Sequence, residues 1–324
     1  MTITRGPFAL ELTCSLGYSL ILSTSAKVRY SGGTLRHALR WQPEWSASKA
    51  VCGSTLPQQP MSSQATYETL SVTCEDGLRT ITYNRPDKKN AISEKMFEEV
   101  VAALKEAADD PNTLITATTG AGNVYTAGND LKNFRQMSVA EIADLLIKYF
   151  AAFIDFPKPL VAVVNGAAVG AGTTLLPMYD AVFATERAIF FTPFSSLGIT
   201  AEGCSTYTFP MVMGHSRATE LLLFEKKVNA TEACKLGLVT EVFPDSTFQE
   251  QVWPRVRAMT KLPPKSLLYS KRLCREVHRA KLHEVNIAES KRVAERFGAR
   301  LWPDSEGYKK FASSLPPLPA NTKI

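Results

Sequence analysis

The run from Val161 to Leu176, V-A-V-V-N-G-A-A-V-G-A-G-T-T-L-L, constrains the fold more than any other stretch. Apolar β-formers enter a loop holding Gly166, Gly170 and Gly172, after which the chain reads as a helix start. Glycine lets the backbone approach a ligand closely, and the orphan N–H groups of a helix start favour negative charge in front of them. The segment before Asp130 repeats the design: Leu114 to Thr119 reads as a strand, and Gly120, Gly122 and Gly128 interrupt the chain beyond it. Two such turns can aim two N–H groups at one oxygen, which is what an oxyanion hole requires. Turns of this kind are widespread in α/β folds. Neither has the G-x-G-x-x-G spacing of a dinucleotide site or the G-K-[ST] of a phosphate loop.

A chain of 324 residues can bury a substantial core, and its formal charge of +6 raises the question of nucleic acid. The location of the charge answers it. Residues 1–64 hold six Lys/Arg against Glu11 and Glu44, which leaves only +2 for the remainder. No nucleic-acid partner is expected. Cys14, Cys52, Cys74, Cys204, Cys234 and Cys274 are scattered without C-x-x-C spacing, which favours reduced thiols. His37, His215, His278 and His283 form no metal signature, so no metal is expected.

Residues 1–64 read as an acid-poor leader or disordered extension containing one apolar patch, Tyr18 to Leu22, too short to span a bilayer. An organelle transit sequence, a secretory signal ending near Ala26 and an extension without an address are the three readings of it. The α/β core is expected over 65–260, with a helical region and tail over 261–324. Within the core, Glu68–Cys74 and Leu78–Tyr83 read as strands around a Glu75-Asp76-Gly77 turn. Ser93 is placed to cap a first helix, and Ser138 with Glu141 forms a capping box for a second that Pro157 and Pro159 end. Strands are expected at Leu160–Val164, Ala181–Ala184 and Leu238–Phe243, and helices at Ser216–Phe224, Ala230–Leu236, Phe248–Lys261 and Lys265–Phe297. Residues 255–300 carry thirteen Lys/Arg against four Glu, either a solvated face or a surface for a ligand phosphate. The Pro-rich tail Leu315 to Ile324 is expected to fray.

Between Phe190 and Cys204 the chain is loop-like and mostly apolar, with a single acid, Glu202. Such an acid is either a solvated loop glutamate or, among Phe191, Phe194, Leu197 and Ile199, a desolvated base with its pKa raised for proton transfer.

Four motifs in order resemble the crotonase (enoyl-CoA hydratase/isomerase) superfamily, and within it the peroxisomal-type Δ3,Δ2-enoyl-CoA isomerases. They are N-R-P-D-K-K-N-A at Asn84 to Ala91, A-G-N-D at Ala127 to Asp130, V-N-G-A-A-V-G-A-G at Val164 to Gly172, and T-P-F-S-S-L-G-I-T-A-E-G-C-S at Thr192 to Ser205. The resemblance implies a spiral of strand-strand-helix turns, a C-terminal helical region that assembles a homotrimer or a dimer of trimers, and an acyl-CoA substrate, with no cofactor beyond the CoA that is part of that substrate. It also implies that the N–H groups of Asn129 and Ala171 hold the thioester oxygen and that Glu202 is the base. Ala127 and Gly128 are then expected along the acyl and pantetheine path, Thr126, Asp130, Gly170, Gly172 and Phe194 among the other substrate-binding residues, and Lys88, Lys89 and Ala91 toward the adenine and phosphate end of CoA. Where hydratases of the superfamily carry two glutamates, this chain has Thr174 and Phe194, which cannot move a proton. The expected reaction is a double-bond shift in unsaturated fatty acid oxidation. A CoA- or corepressor-binding module of the chromodomain Y-like type and another acyl-CoA reaction, such as thioester hydrolysis, are the alternatives. The resemblance points to peroxisome or mitochondrion, although the final Asn-Thr-Lys-Ile does not match a Ser-Lys-Leu address.

Overall fold

The computed structural model describes residues 2–5, 9–14, 18–23 and 67–298, except residue 136. The chain divides into two compact units, Met1–Ser62 and Ser63–Ile324. The first contains β1 (Thr2–Arg5), β2 (Ala9–Cys14) and β3 (Tyr18–Ser23), an antiparallel sheet that includes the apolar patch at Tyr18. The rest of the leader and the Pro-rich tail lie outside the described residues.

The second unit is a succession of strand-strand-helix turns. β4 (Leu70–Glu75) and β5 (Leu78–Tyr83) form a hairpin closed by Asp76 and Gly77, both at positive φ. α1 (Glu94–Asp109) follows, its Met96 N–H accepted by the Ser93 hydroxyl. Next come β6 (Ile115–Gly120), β7 (Val124–Thr126) and α2 (Val139–Ile154), whose Ser138–Glu141 capping box is complete in both directions. The third turn is β8 (Leu160–Val164), β9 (Ala167–Val169) and the short α3 (Ala171–Thr174); the fourth is β10 (Ala181–Thr185), β11 (Ile189–Phe191) and α4 (Ser205–Met213). Then follow α5 (His215–Phe224), β12 (Val228–Asn229), α6 (Ala230–Lys235), β13 (Glu241–Phe243), α7 (Phe248–Met259) and α8 (Pro264–Gly298).

In the second, third and fourth turns the first and second strands collect in different sheets, whereas β4 and β5 of the first turn share one. One sheet has the order β13-β10-β8-β6-β5-β4 and the other β12-β11-β9-β7. Because β6, β8 and β10 are parallel neighbours, as are β7, β9 and β11, each turn of the chain advances one strand in both sheets. The alternation of side chains sends Ala162, Val164, Val182 and Ala184 to a core shared with α1 and α2, and Val161, Val163 and Phe183 to a second core closed by Phe248, Val252 and Val256 of α7. α8 lies along α2, where Asn286 donates to the Ile147 carbonyl at 3.0 Å.

Three expectations change. The stretch between Gly166 and Gly170 is itself a strand, β9, so the glycine run holds two strands and not one. The expected strand Leu238–Phe243 shortens to Glu241–Phe243, because the N–H groups of Leu238 and Val239 turn back to the Ala233 carbonyl and close α6. The loop-like stretch opens on β11 and ends on α4, whose start carries Cys204 at the cap position with its thiol donating to the Leu282 carbonyl and not capping the helix.

Candidate active site

β7, β9 and β11 are adjacent parallel strands, so the segments leaving their carboxyl ends emerge on one edge of the sheet. Those segments are Ala127–Asn129, Gly170–Ala171 and the loop ending in Glu202. Ligands of open α/β sheets bind at such carboxyl edges.

The first two segments touch through their glycines. Gly128 has φ +81°, and a Cβ there would stand 2.6 Å from the Val169 carbonyl oxygen. Gly170 has φ +54° and serves as the N-cap of α3. Asn129 forms a parallel bridge with Ile92 in which Ile92 N–H donates to Gly128 and Asp130 N–H to Ile92, both at 2.9 Å. That pattern leaves the Asn129 N–H on the opposite side of the strand. Ala171 opens a helix, so its N–H precedes the first intrahelical bond. Among the described residues neither N–H donates to a carbonyl.

Glu202 is 3% exposed. Its Oε1 accepts from Asn129 Nδ2 at 2.8 Å, while its Oε2 and the Asn129 Oδ1 are buried without a partner among the described residues. An orphaned buried polar atom costs about 1–3 kcal/mol, and such atoms concentrate where a protein does chemistry. Burial pushes the Glu202 carboxyl up from 4.5 to about 8; the Glu289 charge adds to the rise and the Asn129 hydrogen bond opposes it. Local structure holds the residue: Ser205 Oγ donates to the Glu202 carbonyl at 2.7 Å, and Gly203 follows at φ +70° against the Thr174 side chain.

A cavity of about 100 Å³ lies here, lined by Ala127, Gly128, Asn129, Gly170, Phe194 and Glu202 among the residues expected from sequence. Leu131, Val169, Pro193, Leu197, Ile199 and Phe297 complete it. Phe194 is buried, and Thr174 packs beneath Gly203, so no second carboxylate occupies either position.

Other expected residues stand back from the cavity. Thr126 is buried and turned away, its hydroxyl donating to Asn90 at 2.7 Å and accepting from Gly128 N–H at 3.1 Å. Gly172 allows the third turn to lie against that threonine, which a side chain would prevent. Asp130 pairs with Arg85 at 3.5 Å, and Ala171 is fully buried. Lys88 and Lys89 are exposed on the loop before α1, Ala91 is half-buried, and the Lys89 carbonyl accepts from Ala127 N–H at 2.9 Å, which joins that loop to the cavity wall.

Sequence reasoning missed Glu289 and Phe297, both on α8. Glu289 sits among the charged residues of a long helix, and its partners lie more than eighty positions away. No local pattern marks it. The Asn129 side chain was also missed, since only its N–H was assigned a role.

The fold and this edge together define a class: α/β spirals in which glycine turns from successive strands converge on one buried carboxylate. The chain belongs to the enoyl-CoA hydratase/isomerase family, whose description matches residues 73–317. It is 53% identical over 230 residues to human "Enoyl-CoA delta isomerase 2", covering 69% of this chain and 58% of that one. It is 51% identical over 231 residues to mouse "Enoyl-CoA delta isomerase 3, peroxisomal", covering 69% of this chain and 73% of that one. The chain therefore spans less than two thirds of the length of the human relative. Among solved structures, an enoyl-CoA hydratase/isomerase from Pseudoalteromonas atlantica superimposes with a TM-score of 0.70 at 29% identity, covering 78% of this chain and all of that one.

Proposed function

We propose that the chain is a Δ3,Δ2-enoyl-CoA isomerase, moving the double bond of a 3-enoyl-CoA to the trans-2 position. The observation that carries this reading is Glu202, the one carboxylate among the described residues that line the cavity, buried with one oxygen unpaired, beside two glycine turns whose N–H groups at Asn129 and Ala171 are uncommitted among the described residues. The names of the mouse and human relatives support it. In the proposed reaction Glu202 removes a proton from C2, and the carbanion is delocalised onto the thioester oxygen as an enolate. The Asn129 and Ala171 N–H groups stabilise that oxygen, and the same carboxyl returns the proton at C4. One base suffices because no water is added. Threonine and phenylalanine at positions 174 and 194 accord with that economy. Incubation with 3-enoyl-CoA and a search for conjugated product tests the reading; release of free thiol, or binding without turnover, overturns it.

The base must be ionised to act. With its carboxyl at about 8, kcat/KM is expected to rise with pH through that value and level off above it, as a pH-rate profile in non-coordinating buffers will show.

The same shift bears on stability. Between the ordinary value of 4.5 and about 8 the folded chain binds this proton more tightly than the unfolded chain. The contribution of the carboxyl is present below the lower value and lost as pH rises to the upper one. Glu202→Gln, neutral throughout, is therefore expected to gain in Tm relative to the unaltered protein as pH goes from 5 to 8, measured by calorimetry.

A homotrimer, and peroxisomal residence of the kind the mouse relative's name carries, complete the proposal. Tyr269, Leu273 and Val277 are exposed at four-residue spacing on α8, a stripe suited to burial between subunits. Leu273→Glu is expected to lower the mass seen by light scattering from that of an oligomer toward that of one chain.

A further inference from the structure

The turn that presents Glu202 is left-handed at two successive residues, Gly203 at φ +70° and Cys204 at φ +60°. Glycine adopts that conformation freely; cysteine does so at a cost, and surrounding structure has to hold it. The holding group comes from α8. Glu289 is 7% exposed, and its Oε2 accepts from Cys204 N–H at 2.6 Å while its Oε1 accepts from both the N–H, at 2.9 Å, and the hydroxyl of Thr206. These N–H groups flank the first residue of α4, where the helix leaves donors unsatisfied and its dipole favours an anion.

Two carboxylates thus share one buried region, with no cation bonded to either among the described residues. Glu202 is faced by Asn129 from the segment after β7, by Tyr149 from α2 and by Glu289 from α8. Glu289 is faced by Cys204 and Thr206. Burial raises the Tyr149 hydroxyl and the Cys204 thiol well above their ordinary values, so both stay neutral at working pH. Arg296, the α8 cation turned toward the same loop, donates to the Gly198 carbonyl at 2.9 Å. Among the described residues no lysine, arginine or histidine bonds to either carboxylate.

We propose that Glu289 is a positioning residue for Glu202: it clamps the left-handed turn that carries the base and sets a second buried negative charge beside it. Its catalytic meaning rests on the isomerase reading; the carboxylate pair itself does not. Burial raises the Glu289 carboxyl while the Thr206 and Cys204 donors oppose the rise, so those donors favour the ionised form. A like charge then holds the neighbouring base protonated to higher pH. Glu289→Gln removes the charge and keeps the size, whereas Glu289→Asp keeps the charge and draws it back from the turn.

The test is an infrared difference titration of the full chain, with Glu202→Gln subtracted to isolate the carboxyl band of Glu202, run beside pH-rate profiles with 3-enoyl-CoA. In Glu289→Gln the midpoint of that band is expected to fall by roughly one pH unit, and the acidic limb of kcat/KM with it. In Glu289→Asp the midpoint is expected to fall by less than in Glu289→Gln, because the charge is kept but drawn back, with kcat reduced about tenfold or more as the turn loosens and KM little changed. A midpoint unmoved in a folded Glu289→Gln overturns the proposal, because a merely structural glutamate leaves the titration of Glu202 where it was. If Glu289→Gln does not fold, full kcat in Glu289→Asp overturns it and a selective loss of kcat supports it. Should the unaltered protein turn over no 3-enoyl-CoA, the isomerase reading falls, while the infrared midpoint still decides whether Glu289 acts on Glu202.

Discussion

Glu202→Gln is expected to lower kcat for 3-enoyl-CoA isomerisation by about three orders of magnitude, within the range general acid–base groups contribute, while leaving CoA affinity within a few-fold of its starting value. The amide fills the same space and can still meet Asn129, so the pocket survives and the proton carrier is gone. Stopped-flow detection of the conjugated product, with isothermal titration of a saturated acyl-CoA for affinity, separates the two quantities. Ordinary turnover in this variant would sink the assignment of the base. A loss of binding as large as the loss of turnover would show instead that Glu202 builds the pocket.

Gly128→Ala is expected to cost nearly as much for a different reason. The added Cβ must avoid a carbonyl oxygen 2.6 Å away, and it places a side chain at φ +81°. The left-handed conformation alone costs a non-glycine residue roughly 1–2 kcal/mol, and relief of the clash moves the turn that carries Asn129. Both the N–H and the amide of Asn129 shift together, so the polarising donor and the partner of the base are lost in one step. Removing one oxyanion donor typically lowers kcat by about 10²–10³-fold, and a loss of at least that size is expected, with Tm lowered by several degrees. Gly170→Ala separates the causes: it meets only the Gly128 Cα at 4.0 Å, so its effect reports the φ of +54° without a steric clash.

Much of this arrangement is legible in the sequence because its causes are local. The Ser93 cap and the Ser138–Glu141 box lie within four residues of the groups they satisfy, and both stand in the structure as read. The paired glycine turns are legible for the same reason, since positive φ and close backbone approach leave a mark at the residue itself. β9 escaped because three residues between two glycines carry too little pattern to distinguish strand from turn. α4 escaped because it starts on a left-handed cysteine, lacks a capping side chain and contains Pro210, each a signal against a helix. Glu289 illustrates the remaining gap. What makes it matter is a pair of N–H groups that only the tertiary fold brings to it.

The contribution of α8 to the cavity has a temporal consequence. Phe297 and Ala127 line the same cavity, so an interior first outlined by the second strand-strand-helix turn is completed by the last described helix. During synthesis every strand of both sheets is made before that helix. A nascent chain therefore lacks the Phe297 part of that lining until α8 has been made and has docked.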